Sequence, residues 1–180
     1  MVMKPENILA LLGHSVNCPE FERTIKFFRI TERPAATLES WGGLSITGVS
    51  KPDLGIYFEF TTEMGYLNRF GKIKSRYTTE KYELILEHVT FLVGAPYPYD
   101  LPFDLLFDDD DKSIYKKIGS RPVSKSAPAD NDCDIVFRFL TNNYSIIIRK
   151  GKAKIIFVKV FPIELGEIKS IEIKRSLSSQ

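Results

Sequence analysis

Four consecutive aspartates, Asp108, Asp109, Asp110 and Asp111, are the densest run of chemistry-bearing side chains in this 180-residue sequence. Such a run can hold a cation, imitate nucleic-acid phosphates before a basic protein partner, or cap a helix. A calcium loop places its acids at alternate positions around a central glycine. Here the acids are consecutive and no glycine intervenes. Capping is the simplest account, because one aspartate accepts from free N–H groups and the others favour the positive helix end. The run is read as a helix start, with an acidic, partner-facing patch as the functional alternative, and no metal is expected.

The remaining candidates do not assemble into a catalytic constellation. His14 and His88 are the only histidines and lie far apart in sequence. His14 and Cys18 have the spacing of two ligands on one helix, but Gly13 and Pro19 break a continuous helix, and no second pair completes a zinc site. Cys18 and Cys133 are the only cysteines. A cytosolic chain keeps both reduced, and lone cysteines act mostly as small buried apolar residues. Neither a Gly-x-Ser-x-Gly elbow nor a glycine-rich phosphate loop with lysine occurs. Carboxylates are plentiful, yet nothing selects an acid–base pair, so neither enzymatic activity nor a cofactor is expected. Trp41, the sole tryptophan, precedes Gly42 and Gly43; it is either a core plug or an exposed interface anchor. Lys72, Lys74, Arg76 and Lys81, interleaved with Tyr77 and Tyr82, could contact RNA but equally suit a solvated loop.

Composition narrows the class. At 43% apolar and 12% aromatic, the chain can bury a core. A net charge of +2 is too weak to indicate a nucleic-acid or membrane partner. No stretch approaches the roughly 18 apolar residues of a membrane helix, and the start has no cleavable leader pattern, so a cytosolic protein is expected.

The elements that would position these residues follow from periodicity. Pro5 opens a helix carrying Ile8, Leu9, Leu11 and Leu12 and stopped by Gly13. A second begins at Pro19, repeats Phe21, Ile25 and Phe28 on one face, and ends by Arg33-Pro34. Strands are expected at 44–47, 54–60 and 82–93. In the last, Glu83, Ile85, Glu87, Val89 and Phe91 would share one face and Leu84, Leu86, His88, Thr90 and Leu92 the other. Neither face is purely polar, which suits a central strand. Residues 61–81 read as a long connection with at most a short irregular helix, either mobile or a binding element. Pro96 and Pro98 mark a boundary near 94–100. A helix then carries Ile114, Tyr115 and Ile118 up to Gly119, a polar loop fills 120–132, and strands at 135–139, 144–149 and 155–160 form a meander. Alternating charge and isoleucine at 167–174 suggests a charged edge strand. The fold expected is α+β: two similar halves, 1–94 and 95–180, as separate units or as one continuous domain, each with helix material followed by a three-stranded antiparallel meander.

The segment Leu101-Pro-Phe-Asp-Leu-Leu-Phe107, the acidic helix start, Ile118-Gly119-Ser-Arg-Pro122 and the strand finish resemble a group of bacterial immunity proteins. In that group the pattern is typically Leu-Pro-x-Gly-Leu-x-Phe, then a helix ending in Leu-Gly-x-Pro, a polar loop and hairpin strands. Upstream, Leu-Leu-Gly13 and Gly55-Ile-Tyr-Phe-Glu-Phe60 correspond as well. This sequence has Asp104 where the group often has glycine, and lacks the tryptophan common in its polar loop. The resemblance implies a noncatalytic inhibitor of a cognate toxin from a bacteriocin or contact-dependent system, with a nuclease the expected target. Because contact residues vary freely in such proteins, no site residue carries over. A motif-less hydrolase or transferase and a noncatalytic adaptor domain are the alternatives.

Overall fold

Proline at the first helical position starts α1 (Pro5–Leu9), after which the chain turns and Gly13 takes a left-handed φ of 83°. Helix α2 (Pro19–Phe27) is capped by Cys18, whose Sγ accepts from the Phe21 N–H at 3.3 Å. Strands β1 (Ala35–Leu38) and β2 (Leu44–Thr47) pair as a separate antiparallel hairpin. Strands β3 (Val49–Lys51), β4 (Ile56–Thr62), β5 (Leu84–Leu92), β6 (Ser124–Ser126), β7 (Ile135–Leu140), β8 (Tyr144–Lys150) and β9 (Ile155–Pro162) build a seven-stranded antiparallel sheet. Its order is β3-β4-β5-β9-β8-β7-β6. Helices α3 (Glu63–Phe70) and α4 (Asp111–Ile118) complete the α+β architecture. This computed structural model describes residues 3–40, 42–77, 83–92, 100–127, 134–152 and 154–168. Trp41, Cys133, Lys81, Tyr82, the expected boundary at 94–99 and most of the expected strand at 167–174 lie outside the described residues.

One sheet face carries the main core. Phe21 of α2 meets Phe58 and Phe60 edge-on, at centroid distances of 5.8 and 5.5 Å. Tyr115 of α4 does the same with Phe137 at 6.0 Å. Each fully buried phenylalanine contributes about 2 kcal/mol. The opposite face is covered near β5 by α3, whose Tyr66 and Phe70 pack on Ile85. Strand β5 is therefore central and covered on both sides, as its sequence suggests.

Its alternation differs from the expected one. Glu59 pairs with His88 but Phe60 pairs with Leu86, so Glu87 is an extra residue bulged out of the ladder. A bulge of one residue exchanges the faces beyond it. Leu84, Leu86, Val89 and Phe91 consequently all join the main core. Ile85 lies on the other face, and His88 and Thr90 follow it there. The apparently mixed faces are two clean faces joined out of phase.

Four other expectations change. The strand expected at 44–47 to open the first meander pairs with β1 instead, and β3 takes the place beside β4. Residues 63–70 form a regular helix, because Thr62 caps it by accepting the Gly65 N–H at 3.2 Å. The loop at 120–132 contains the short edge strand β6, paired with β7. Glu167 and Ile168 belong to a helical turn at 165–168, not to an edge strand. The sheet is also continuous: β5 and β9 join it through four residue pairs, from Val89 with Val160 to Leu92 with Phe157.

Candidate functional site

Three regions are candidates. The first is the turn leading into α4. Pro102–Asp104 form a 3-10 turn in which Phe103 and Asp104 take left-handed φ values of 63° and 54°. Phe103 tucks toward the core near the Tyr144 ring, while Leu101 and Leu105 are buried. Leu106 is left 58% exposed while its neighbours Leu101 and Leu105 are buried. Its backbone N–H is held by Asp109 Oδ2 at 2.7 Å.

The four aspartates have different duties. Asp109 is buried, and Lys117 Nζ donates to its two oxygens at 2.9 and 2.8 Å. Asp110 caps α4 by accepting the Ser113 N–H at 2.7 Å, and that bond holds its carboxyl below the usual carboxylate range. Asp111 faces Lys150 at 2.8 Å and Lys125 at 3.8 Å. Asp104 and Asp108 are exposed, two positions to either side of Leu106. The capping reading thus applies to Asp110, and the exposed acids of the turn are Asp104, Asp108 and the capping Asp110 itself.

The second region is a charged network on the sheet face opposite the main core. His88 is buried, with its ring 4.7 Å from that of Phe161 and its Nε2 2.9 Å from Glu59 Oε2. The approach to Glu59 is oblique, and Nδ1 has no partner among the described residues. Burial lowers the pKa of His88, outweighing the contact with Glu59, which raises it. The hydrogen-bonding contact with His88, ahead of the Lys159 charge, lowers that of Glu59. Lys159 Nζ lies 3.5 Å from Glu59. Nearby, Arg69 of α3 pairs with the bulged Glu87 and with Glu164 at 2.6 Å, and Arg138 pairs with Glu167. A histidine beside a carboxylate is the beginning of a general base. Here His88 is only 6% exposed and Phe161 covers its ring, and the ion pairs tie α3, β5, β7 and the 165–168 turn together.

The third is a cleft of about 470 Å³ at one end of the sheet, between the 72–74 segment and the β8 turn. Lys72, Lys74, Asn142 and Asn143 stand at its rim, with Tyr66 and Pro162 among the apolar lining.

The other candidates are placed apart. His14 Nδ1 lies 2.7 Å from Ser75 Oγ, and Cys18 is buried at the start of α2. Arg76 pairs with Glu63, so the basic segment is not a continuous free surface. Among the described residues, no group of three or more histidine, cysteine or acidic side chains could hold a metal ion. No helix among them is long and apolar enough to cross a membrane.

Sequence reasoning missed Leu106, although the left-handed tolerance of aspartate at 104 was a usable signal. It also missed the Glu59–His88–Lys159 and Arg69–Glu87–Glu164 groups, which only strand register brings together. Compared with protein-family models, curated proteins and solved structures, the chain matches none.

Proposed function

We propose that this chain is an immunity protein, a noncatalytic inhibitor that binds a cognate bacterial toxin domain, a nuclease, and covers its active site or substrate groove. The carrying observation is the turn at 103–109. Asp104 stands where the resembled family often has glycine, and its φ of 54° is a conformation glycine adopts without strain. Left-handed non-glycine residues cost about 1–2 kcal/mol each, and such strain gathers at clamps and binding elements. Here the turn presents Leu106 outward between two exposed carboxylates, with Asp109 fixing its backbone. An apolar tip flanked by negative charge suits the rim of a basic, phosphate-holding groove. The charge speeds encounter and the desolvated leucine slows release.

Within this reading Asp108 is the partner-facing member of the aspartate run, Asp109, Asp110 and Asp111 shape the turn behind it, and Trp41 is a second anchor. The two related halves, 1–94 and 95–180, belong to the same proposal. Its support is that β5 and β9, the last strands of the two meanders, pair with each other.

Gene position selects the toxin to test, since an immunity gene lies directly downstream of it. The chain is expected to bind that toxin domain with a Kd of about 1 nM or tighter, near −12 kcal/mol. Asp108→Lys should slow association, and Leu106→Asp should speed dissociation. Tight binding unaffected by either change, or by Trp41→Ala, would reject these sites. Absence of a toxin neighbour, together with substrate turnover by the chain alone, would favour a hydrolase or transferase.

A further inference from the structure

The cleft at the sheet end has an unbalanced lining. Its charged lining groups, Lys72 and Lys74, are both cations, and neither meets a carboxylate among the described residues. Among the described residues the partly buried basic groups Lys117, Arg138, Arg149, Lys150 and Lys159 each face an acid, as does the exposed Arg69, whereas other exposed ones such as Lys26, Lys116 and Lys154 make no ion pair. Lys74 is exposed as a residue, yet enough protein surrounds its ammonium group to lower its pKa through lost hydration. Its ammonium group donates to the neutral Ala10 carbonyl oxygen at 3.1 Å. A cation partly stripped of water without a counter-ion is an unfavourable arrangement that a bound anion would relieve.

Both walls are braced. The Lys74 N–H donates to Gly13 O at 2.8 Å, the Gly13 N–H donates to Leu86 O at 2.9 Å, and the His14 ring contacts Ser75. This fixes the lysine segment to α1 and to central strand β5. Across the cleft, Thr141 Oγ1 accepts from the N–H groups of Asn143 and Tyr144 at 3.3 and 3.0 Å, locking the β7–β8 turn. Tyr66, Tyr144 and Pro162 add apolar surface between the walls. The volume falls within the ordinary range for small-ligand sites.

We propose that this cleft binds a small organic anion, a carboxylate or phosphate monoester with an apolar body, its charged end between Lys72 and Lys74 and its body against Tyr144 and Pro162. The site is separate from the turn at 103–109 and does not depend on toxin binding.

Phenyl phosphate is the probe, followed by amide chemical-shift changes in the isotope-labelled full chain. Saturable shifts centred on residues 72–74 and 142–144 are expected, with a Kd on the order of 1 mM or tighter. The double variant Lys72→Gln, Lys74→Gln should weaken binding by roughly tenfold or more, since a hydrogen bond to a charged group is worth about 1.5–3 kcal/mol. Both side chains are exposed, and glutamine can still donate to the Ala10 carbonyl, so an unchanged spectrum outside the cleft verifies folding. Benzyl alcohol, which lacks the charge, should produce no saturable shift. Shifts centred elsewhere, no saturation, or equal affinity in the double variant would overturn the site. Equal affinity for inorganic phosphate would overturn the role given to the apolar body.

Discussion

Replacing Asp109 tests whether the aspartate run is an internal brace at this position. Asp109→Ala removes the carboxylate that holds both Lys117 and the Leu106 N–H. Hydrogen bonds to charged groups contribute about 1.5–3 kcal/mol, and breaking a fully buried pair costs about 3–5 kcal/mol. The pair here is intermediate, because the Asp109 side chain is 7% exposed but that of Lys117 is 26% exposed and can regain water. The expected loss is about 2–3 kcal/mol, or about 4–12 °C in Tm for a chain of this size. Asp109→Asn keeps an acceptor for Leu106 while losing the charge, so about half the loss should return. Lys117→Met should destabilise at least as much as Asp109→Asn, since it strands the more buried partner. Urea unfolding of both single variants and the double variant gives the coupling energy. A loss below about 0.5 kcal/mol in Asp109→Ala, or a coupling near zero, would refute the brace.

Three further outcomes are expected. Burial lowers the pKa of His88, so the unfolded chain takes up a proton near pH 6.5 while the folded chain resists it. Stability should be fully present above that pH and decline as pH falls below it, and His88→Gln should flatten the decline between about pH 7 and 5 in urea midpoints. His14 is lowered too, by burial and the Lys74 charge, so His14→Gln should remove a further part of the same decline. Gly13→Ala meets a left-handed backbone and places its Cβ 2.7 Å from Tyr66 Oη, whereas Gly119→Ala meets only the backbone penalty of about 1 kcal/mol. Thermal unfolding should rank Gly13→Ala as the more damaging, with partial rescue by Tyr66→Phe. Phe58→Ala, fully buried between the rings of Phe21 and Phe28, should cost about 3–5 kcal/mol in chemical denaturation.

Legibility in the sequence followed the range of the forces involved. The strands at 135–140, 144–150 and 155–162 were readable because their inward phenylalanine, isoleucine and valine residues alternate and short turns join them. Strand β5 was readable as central but not in its facing, because one bulged glutamate changes phase without changing composition. Strands β1 and β6 are three or four residues long and largely exposed, and β3 has three residues of which only Val49 is buried. Their pairing comes from neighbours, not from a hydrophobic pattern of their own. At the candidate turn, the cap was a local matter and so predictable from the aspartate run, although its residue, Asp110, was not singled out. The division of labour among Asp109, Asp111 and Asp108 required Lys117, Lys150 and Lys125, which lie 8 to 39 residues away or across the fold. The cleft joins segments more than 60 residues apart and left no mark in any single window.

The joint between β5 and β9 has a consequence in time. Val89 and Val160, paired in the finished sheet, are 160 − 89 = 71 positions apart. At about 5–20 residues per second, a ribosome needs roughly 4–14 s to make that interval. Until then β5 has β4 on one side and nothing from this joint on the other, with Val89 and Phe91 lacking the strand that will flank them. Nascent chains halted before residue 155 should therefore be the most prone to stick to one another or to recruit chaperones, and extending them past residue 162 should end that tendency. An interior strand of the finished sheet is thus an edge strand until β9 has been made.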